Sequence, residues 1–176
     1  ESIEVLSGLL PMAHKSFYPD FDGQLYQSIG MAQYRLSDTS SALSNYYKAR
    51  DIYQKTQSST GLVLMHGNIG TILYDKGNLN EAEKEFKEGL NYLKPKSSYI
   101  HKKLIYEGLY KINKQKGNSA EAFNYSELYH AAKDSIYSQS QQKELLTLQK
   151  KFETDEKHRI SAEQESEITT QELTDS

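Results

Sequence analysis

The sequence contains no cysteine and no tryptophan, and only three of its 176 residues are proline. Without cysteine there is no disulfide bond, no thiolate metal site and no cysteine nucleophile. No apolar run approaches the roughly 20 residues that cross a bilayer. A net charge of −3 provides no global positive field for nucleic acid. The remaining composition, 36% hydrophobic and 26% charged, is typical of a soluble, helix-rich protein with a thin core.

One pattern recurs at a spacing of forty residues. Residues 75–86 read DKGNLNEAEKEF, and several of the same residue types recur forty positions later, in residues 113–124, which read NKQKGNSAEAFN. The matched pairs are Gly77 with Gly117, Asn78 with Asn118, Glu81 with Glu121, and Ala82 with Ala122. A fixed period of this length indicates a repeat architecture. The predicted organisation is one repeat over 23–62, a second over 63–102 and a degenerate third over 103–138.

Each unit is predicted to form two helices joined by a tight turn. In the middle unit, apolar residues recur at helical spacing on both sides of Gly77. Gly77 favours a left-handed helix C-terminus, and Asn78 with Glu81 suits a capping box on the next helix. In the first unit Ser37 takes the place of Gly77, and Asp38 is the predicted cap. One helix pair cannot bury both of its faces, so the pairs are expected to stack into a solenoid.

These units resemble the tetratricopeptide repeat, in which a Leu-Gly pair precedes a turn and an Ala and an aromatic residue follow it. The residues that carry the resemblance are Tyr26, Ile29, Gly30, Ala42, Tyr46 and Ala49, then Ile69, Gly70, Gly77, Ala82, Phe86 and Gly89, then Leu109, Gly117 and Ala122. The third unit departs from the pattern at Tyr110 and Ser126. The usual period is 34 residues, so forty implies helices longer by about one turn. The resemblance implies an all-α fold, a right-handed superhelix (solenoid) of helix pairs with a long C-terminal helix.

The two ends of the chain extend this scheme. Residues 1–22 align with the second helix of an incomplete upstream repeat, so we expect the array to begin before Glu1, as part of a longer protein. Residues 139–160 predict a connector helix in which Leu145, Leu148 and Phe152 approximate a coiled-coil seam. Residues 161–176 are polar and acidic, and they are expected to be poorly ordered.

The tail also resembles the segment that ends the repeat region in membrane-bound regulators of Bacteroidetes bacteria. The matching residues are Lys133, Asp134, Ser135, Tyr137, Leu148, Gln149, Lys151, Phe152, Glu153, Thr154 and Lys157. In that family an extracytoplasmic repeat array precedes a membrane span, followed by a histidine-kinase module or a LuxR-type output. The resemblance therefore implies a periplasmic location and a role in signal transduction.

Residue patterns for chemistry are scarce. The five histidines are far apart in sequence, and none has the spacing of a metal ligand. His66 falls on a seam position, where packing explains it. The helix residues Glu81, Glu83, Glu85 and Glu88 are expected to form a solvated face. We expect no enzyme activity, no metal and no cofactor.

A peptide-binding groove is the site that the repeat resemblance implies. Tyr34 and Tyr74 align with each other on the face that lines the groove in this repeat family. The candidate groove residues are Gln27, Met31, Tyr34, Arg35, Asn68, Thr71, Tyr74, Asp75, Glu107, Lys111 and Lys114. Aromatic anchors with polar neighbours suit an extended or helical peptide. A plain solvated concave face explains the same residues, and both interpretations stay open.

The expected function is protein or peptide binding, as the sensory part of a bacterial signal-transduction or transcriptional regulator. Two alternatives remain: a cytoplasmic peptide-responsive regulator of the same repeat type, and a static scaffold for assembling complexes. The expected partner is a protein or peptide, with no direct nucleic acid contact. Membrane attachment would come only from a segment outside these residues, and a homodimer through the C-terminal helix is a further expectation.

Overall fold

The computed structural model describes the backbone of residues 2–13 and 20–174, and the side chains of residues 3–9 and 20–162. Over these ranges every regular element is an α-helix, so the predicted all-α class is confirmed. The helices are α1 (Ser2–Ala13), α2 (Phe21–Arg35), α3 (Thr39–Lys55), α4 (Ser59–Asp75), α5 (Leu79–Tyr92), α6 (Tyr99–Lys116) and α7 (Ser119–Thr174).

The chain divides into two compact units, residues 1–133 and residues 134–176, and the boundary falls within α7. In the first unit each helix from α1 to α5 packs against the next one along the chain. In addition, α4 packs against both α2 and α6. Because α2 and α3, and again α4 and α5, are joined by three-residue turns, each of these pairs is an antiparallel hairpin. The remainder of the predicted N-terminal segment, residues 14–19, lies outside the described residues.

The turns that end α2, α3, α4 and α6 share one geometry. Each contains a residue with positive φ: Ser37 (63°), Gln57 (56°), Gly77 (81°) and Gly117 (76°). The N–H of the following residue donates back to the carbonyl five residues earlier, as from Asp38 to Gln33 at 2.9 Å. This is the Schellman arrangement, which satisfies carbonyls left open at a helix end. The sequence does not predict the positive φ of Gln57, because Gln57 is neither Gly nor Asn, the residues that usually adopt this conformation.

The caps after these turns differ from one another. The carboxylate of Asp38 accepts a hydrogen bond from the Ser41 backbone N–H at 3.1 Å, as predicted. Asn78 occupies the N-cap position of α5 but forms no side-chain capping hydrogen bond. The expected capping box is therefore not formed there. The backbone bonds of Asn78, its N–H to Leu73 and its carbonyl from Ala82, close the turn instead.

Aromatic rings packed against glycines hold neighbouring helices together. The ring of Phe86 on α5 lies against Gly70 of α4 and Gly108 of α6. A Cβ at Gly70 would stand 3.0 Å from this ring, and one at Gly108 would overlap it. Tyr46 lies against Gly30 in the same way, forty residues earlier. Since these glycines carry no side chain, the helix axes can approach closely at these points.

In the third helix pair, α6 and the start of α7, the aromatic and the small residue are on the opposite helices. Its first helix carries Tyr110 where α2 and α4 carry Gly30 and Gly70, and α7 carries Ser126 in place of an aromatic ring. The Tyr110 ring stacks on Tyr129 of α7, with centroids 6.4 Å apart. At this helix pair a ring–ring contact between Tyr110 and Tyr129 therefore stands where the first two pairs have a ring against glycine.

The second unit contains the rest of α7. This helix contains neither Gly nor Pro, and its backbone stays helical to Thr174. The sequence predicts poor order over residues 161–176, whereas α7 continues through residues 161–174. The side chains beyond residue 162, and residues 175 and 176, lie outside the described part. Within the described part, no helix is long and apolar enough to cross a membrane.

Candidate functional site

A cleft of about 150 Å³ opens between α4 and α6. Its lining residues are Thr71, Tyr74, Asp75, Phe86, Leu104, Glu107, Gly108 and Lys111. Five of these, Thr71, Tyr74, Asp75, Glu107 and Lys111, belong to the groove predicted from the sequence. The structure therefore brings about half of the predicted groove residues to one concave site.

The floor of this cleft is apolar. It is formed by Leu104 and by the ring of Phe86, which is only 2% exposed. Gly108 lies beside them and contributes no side chain of its own. Leu104 and Gly108 were not predicted as groove residues, and Phe86 was assigned only to the repeat core. Their part in the site depends on α6 packing onto both α4 and α5, which no local spacing reveals.

The rim of the cleft is polar and carries both signs of charge. Glu107 accepts from Lys111 at 2.8 Å and from Lys103 at 3.2 Å. Burial alone would raise the pKa of Glu107, but the hydrogen bonds from these two lysines outweigh it and lower the pKa. The hydrogen bond to Glu107 in turn raises the pKa of Lys111. Both groups are therefore ionised at neutral pH.

A second contact orients the carboxylate on the opposite side of the rim. The Tyr34 hydroxyl on α2 donates to Asp75 Oδ2 on α4 at 2.7 Å. This hydrogen bond, together with burial and the negative charge of Asp75, raises the pKa of Tyr34 to about 12. Tyr34 is thus a positioning residue for Asp75, although the sequence predicts only that it lies on the groove face.

The remaining predicted groove residues have other surroundings. Gln27 accepts a hydrogen bond from the Tyr53 hydroxyl at 3.0 Å, which joins α2 to α3. Met31 and Arg35 are exposed on α2, and Asn68 is half-buried on α4. Lys114 lies 5.7 Å above the Tyr110 ring and lines a different cleft.

That second cleft lies between α6 and the start of α7 and has a volume of about 300 Å³. Its lining residues are Tyr110, Lys114, Gly117, Ser119, Ala122, Phe123 and Ser126. Phe123 is 66% exposed at this site. The cleft coincides with the exchange of aromatic and small residues at Tyr110 and Ser126.

A half-buried polar cluster joins the first two helix pairs. His66 is 8% exposed, and its Nδ1 lies 2.7 Å from a Glu85 oxygen. The other Glu85 oxygen accepts from Arg50 at 3.2 Å, and the His66 ring stacks on Tyr92. The burial of His66 agrees with its predicted seam position. Glu85 is wrongly placed by the sequence on a solvated face, because its partners on α3 and α4 come together only through tertiary packing.

The predicted coiled-coil seam lies on exposed positions of α7. Leu145, Leu148 and Phe152 are all more than half exposed, with Phe152 at 71%. These side chains belong to the second compact unit.

The comparisons with known proteins add no assignment: no family model matches the chain, and no curated protein matches it.

Within the described ranges, no group of three or more His, Asp or Glu side chains is arranged to hold a metal ion. The arrangement at the α4–α6 cleft suits noncovalent recognition, because an apolar floor is surrounded by fixed donors and acceptors.

Proposed function

We propose that the chain is a peptide- or protein-binding domain of the tetratricopeptide-repeat type, which acts as the sensory part of a bacterial signalling or transcriptional regulator. The observation that carries the binding function is the α4–α6 cleft, with its apolar floor and its charged rim. The repeat-type assignment draws support from the hairpins α2–α3 and α4–α5 and from the packing of α4 on α2 and α6.

Recognition would take place on the first helices of the pairs. Tyr34 and Asp75 join α2 to α4, and the cleft joins α4 to α6, so a bound segment would contact three helices. Because those helices belong to successive pairs, ligand binding would favour one relative arrangement of the pairs over another. The proposed location is the extracytoplasmic side of a membrane-anchored protein, as the tail resemblance implies.

Selection from a random peptide library on the full chain tests this function. We expect enriched peptides whose affinity falls by about tenfold in Lys111→Glu, since this change reverses a charge on the rim. Lys84→Glu is the matched control, because Lys84 is exposed on α5 beside Asn80 and Glu88, away from the α4–α6 cleft. Binding that is insensitive to Lys111→Glu but lost in Lys84→Glu would contradict the proposal, and so would the absence of any saturable binder.

A further inference from the structure

We propose that the α4–α6 cleft is an anchor pocket for one neutral apolar side chain, aromatic or branched aliphatic, of a bound peptide. This inference rests on the proposed function and names the chemistry that the site selects. The occupant is a segment of a partner protein whose backbone lies across the rim while one side chain enters the cleft.

The size of the cleft sets the size of the occupant. A cavity of about 150 Å³ is known to accept a benzene ring, and the cleft has this volume. Sites for whole small-molecule ligands and cofactors are larger, about 300–1,000 Å³. The cleft is therefore matched to a single side chain. Because Phe86, Leu104 and Gly108 form its floor, that side chain must be apolar.

The rim determines what flanks the side chain. Asp75 on α4 presents a carboxylate, which accepts hydrogen bonds, and Lys111 on α6 presents an ammonium group, which donates them. A peptide backbone on either side of an anchor residue offers an N–H and a carbonyl, so it complements both groups. Glu107 is paired with Lys103 and Lys111, and Asp75 accepts from the Tyr34 hydroxyl. The formal charges of the two carboxylates and the two ammonium groups around the cleft sum to zero, which favours a neutral anchor over a charged one.

The equivalent position one repeat earlier has a different chemistry. A shift of forty residues replaces Thr71, Asp75 and Lys111 by Met31, Arg35 and Thr71. The longer Met31 side chain stands where Thr71 leaves space, and the carboxylate and the ammonium group are both missing. The anchor pocket is thus specific to the junction of the second and third helix pairs, and Met is a residue that this fold already accommodates at the aligned site.

The test uses N-acetyl-phenylalanine methylamide, which has one ring flanked by a backbone amide on each side. We expect saturable NMR shifts of the Leu104 and Thr71 methyl groups at about millimolar probe. N-acetyl-glycine methylamide, which lacks the ring, should give no saturable shift. 3-Phenylpropionate and 2-phenylethylammonium carry the ring with a charge, and both should bind more weakly than the neutral probe.

Variants of the full chain locate the probe. Thr71→Met should fill the cleft and weaken binding by about tenfold or more. Lys84→Met adds the same side chain to the exposed face of α5 and should leave binding unchanged. Lys111→Gln changes an exposed residue without filling the cleft, so it should weaken the amide-bearing probe while the fold is retained. Shifts that persist in Thr71→Met, or that map to Phe123 and Ser126 instead, would overturn the anchor pocket.

The two proposals fail separately. If library selection yields groove-dependent peptides without a shared apolar position, the peptide-binding function stands and the anchor pocket is wrong. If the probe binds at Leu104 but no peptide is enriched, the cleft accepts an apolar ring, but the peptide-binding function and the anchor role that rests on it are both wrong.

Discussion

The Tyr34 hydroxyl on α2 donates a hydrogen bond of 2.7 Å to the Asp75 carboxylate on α4, forty-one residues away. This contact ties together the first helices of two successive pairs and orients one side of the α4–α6 cleft. Its loss would therefore affect stability and recognition together.

The Tyr34–Asp75 contact predicts a measurable tyrosine titration. The pKa of Tyr34 is raised to about 12, so the folded state favours the protonated phenol. This stabilising effect is fully present below the ordinary tyrosine pKa near 10, and it is lost as pH rises from there through about 12. An NMR titration of the Tyr34 ring should show the raised pKa, and Asp75→Asn should return it toward 10. An unchanged pKa in Asp75→Asn would contradict the contact.

Substitution at Gly108 should separate close helix packing from helix propensity. Alanine is intrinsically better than glycine in a helix by about 1 kcal/mol, but a Cβ at Gly108 overlaps the Phe86 ring. We expect Gly108→Ala to lower the free energy of unfolding by about 1–3 kcal/mol. Gly8→Ala is the matched control, because a Cβ at Gly8 has no atom within 4 Å. Chemical denaturation measures both, and a stabilised Gly108→Ala would show that the ring moves aside freely.

The turn geometry predicts that two polar residues can be improved. Ser37 and Gln57 adopt positive φ, which costs non-glycine residues about 1 kcal/mol. We expect Ser37→Gly and Gln57→Gly to raise the midpoint of thermal unfolding. Gly77→Ala, at the same turn position with φ of 81°, should lower it. If Ser37→Gly, Gln57→Gly and Gly77→Ala all shifted the midpoint of thermal unfolding in the same direction, left-handed turns at these residues would be contradicted.

The polar cluster around Glu85 should contribute to stability. Replacing Glu85 by Ala leaves Arg50 and His66 without their carboxylate partner in a half-buried site, which should cost about 1–3 kcal/mol. Glu88→Ala removes an exposed carboxylate from the same helix and should change stability little. Denaturant midpoints of the two variants give the comparison, and equal midpoints would place Glu85 among ordinary surface residues.

The exposed seam on α7 predicts self-association of the full chain. If Leu145, Leu148 and Phe152 pair between two copies, light scattering should report a dimer, and Leu148→Glu should shift it to monomer. Glu153→Gln, one residue beyond Phe152 and off the seam, should leave the dimer intact. A monomer at all concentrations would contradict the homodimer that the sequence predicts.

The sequence alone predicts helix pairs because their signals are local. Gly77 and Gly117 adopt the left-handed conformation expected of them, and Asp38 caps α3 as expected. The apolar spacing of Met65, Ile69 and Ile72 predicts their complete burial on α4. These features depend on backbone sterics and on helical periodicity, which operate over a few residues.

Only the tertiary structure decided which of the groove residues form a site. Thr71, Asp75 and Lys111 converge because α6 packs across α4, whereas Gln27 is engaged by Tyr53 and Lys114 lies at another cleft. Glu85 likewise appears solvated until α3 and α4 surround it. Local pattern sets where helices begin, end and carry apolar residues. Which distant side chains share a cleft depends on the close approach of helices, here governed by aromatic rings against glycines, and that approach arises only in the packed chain.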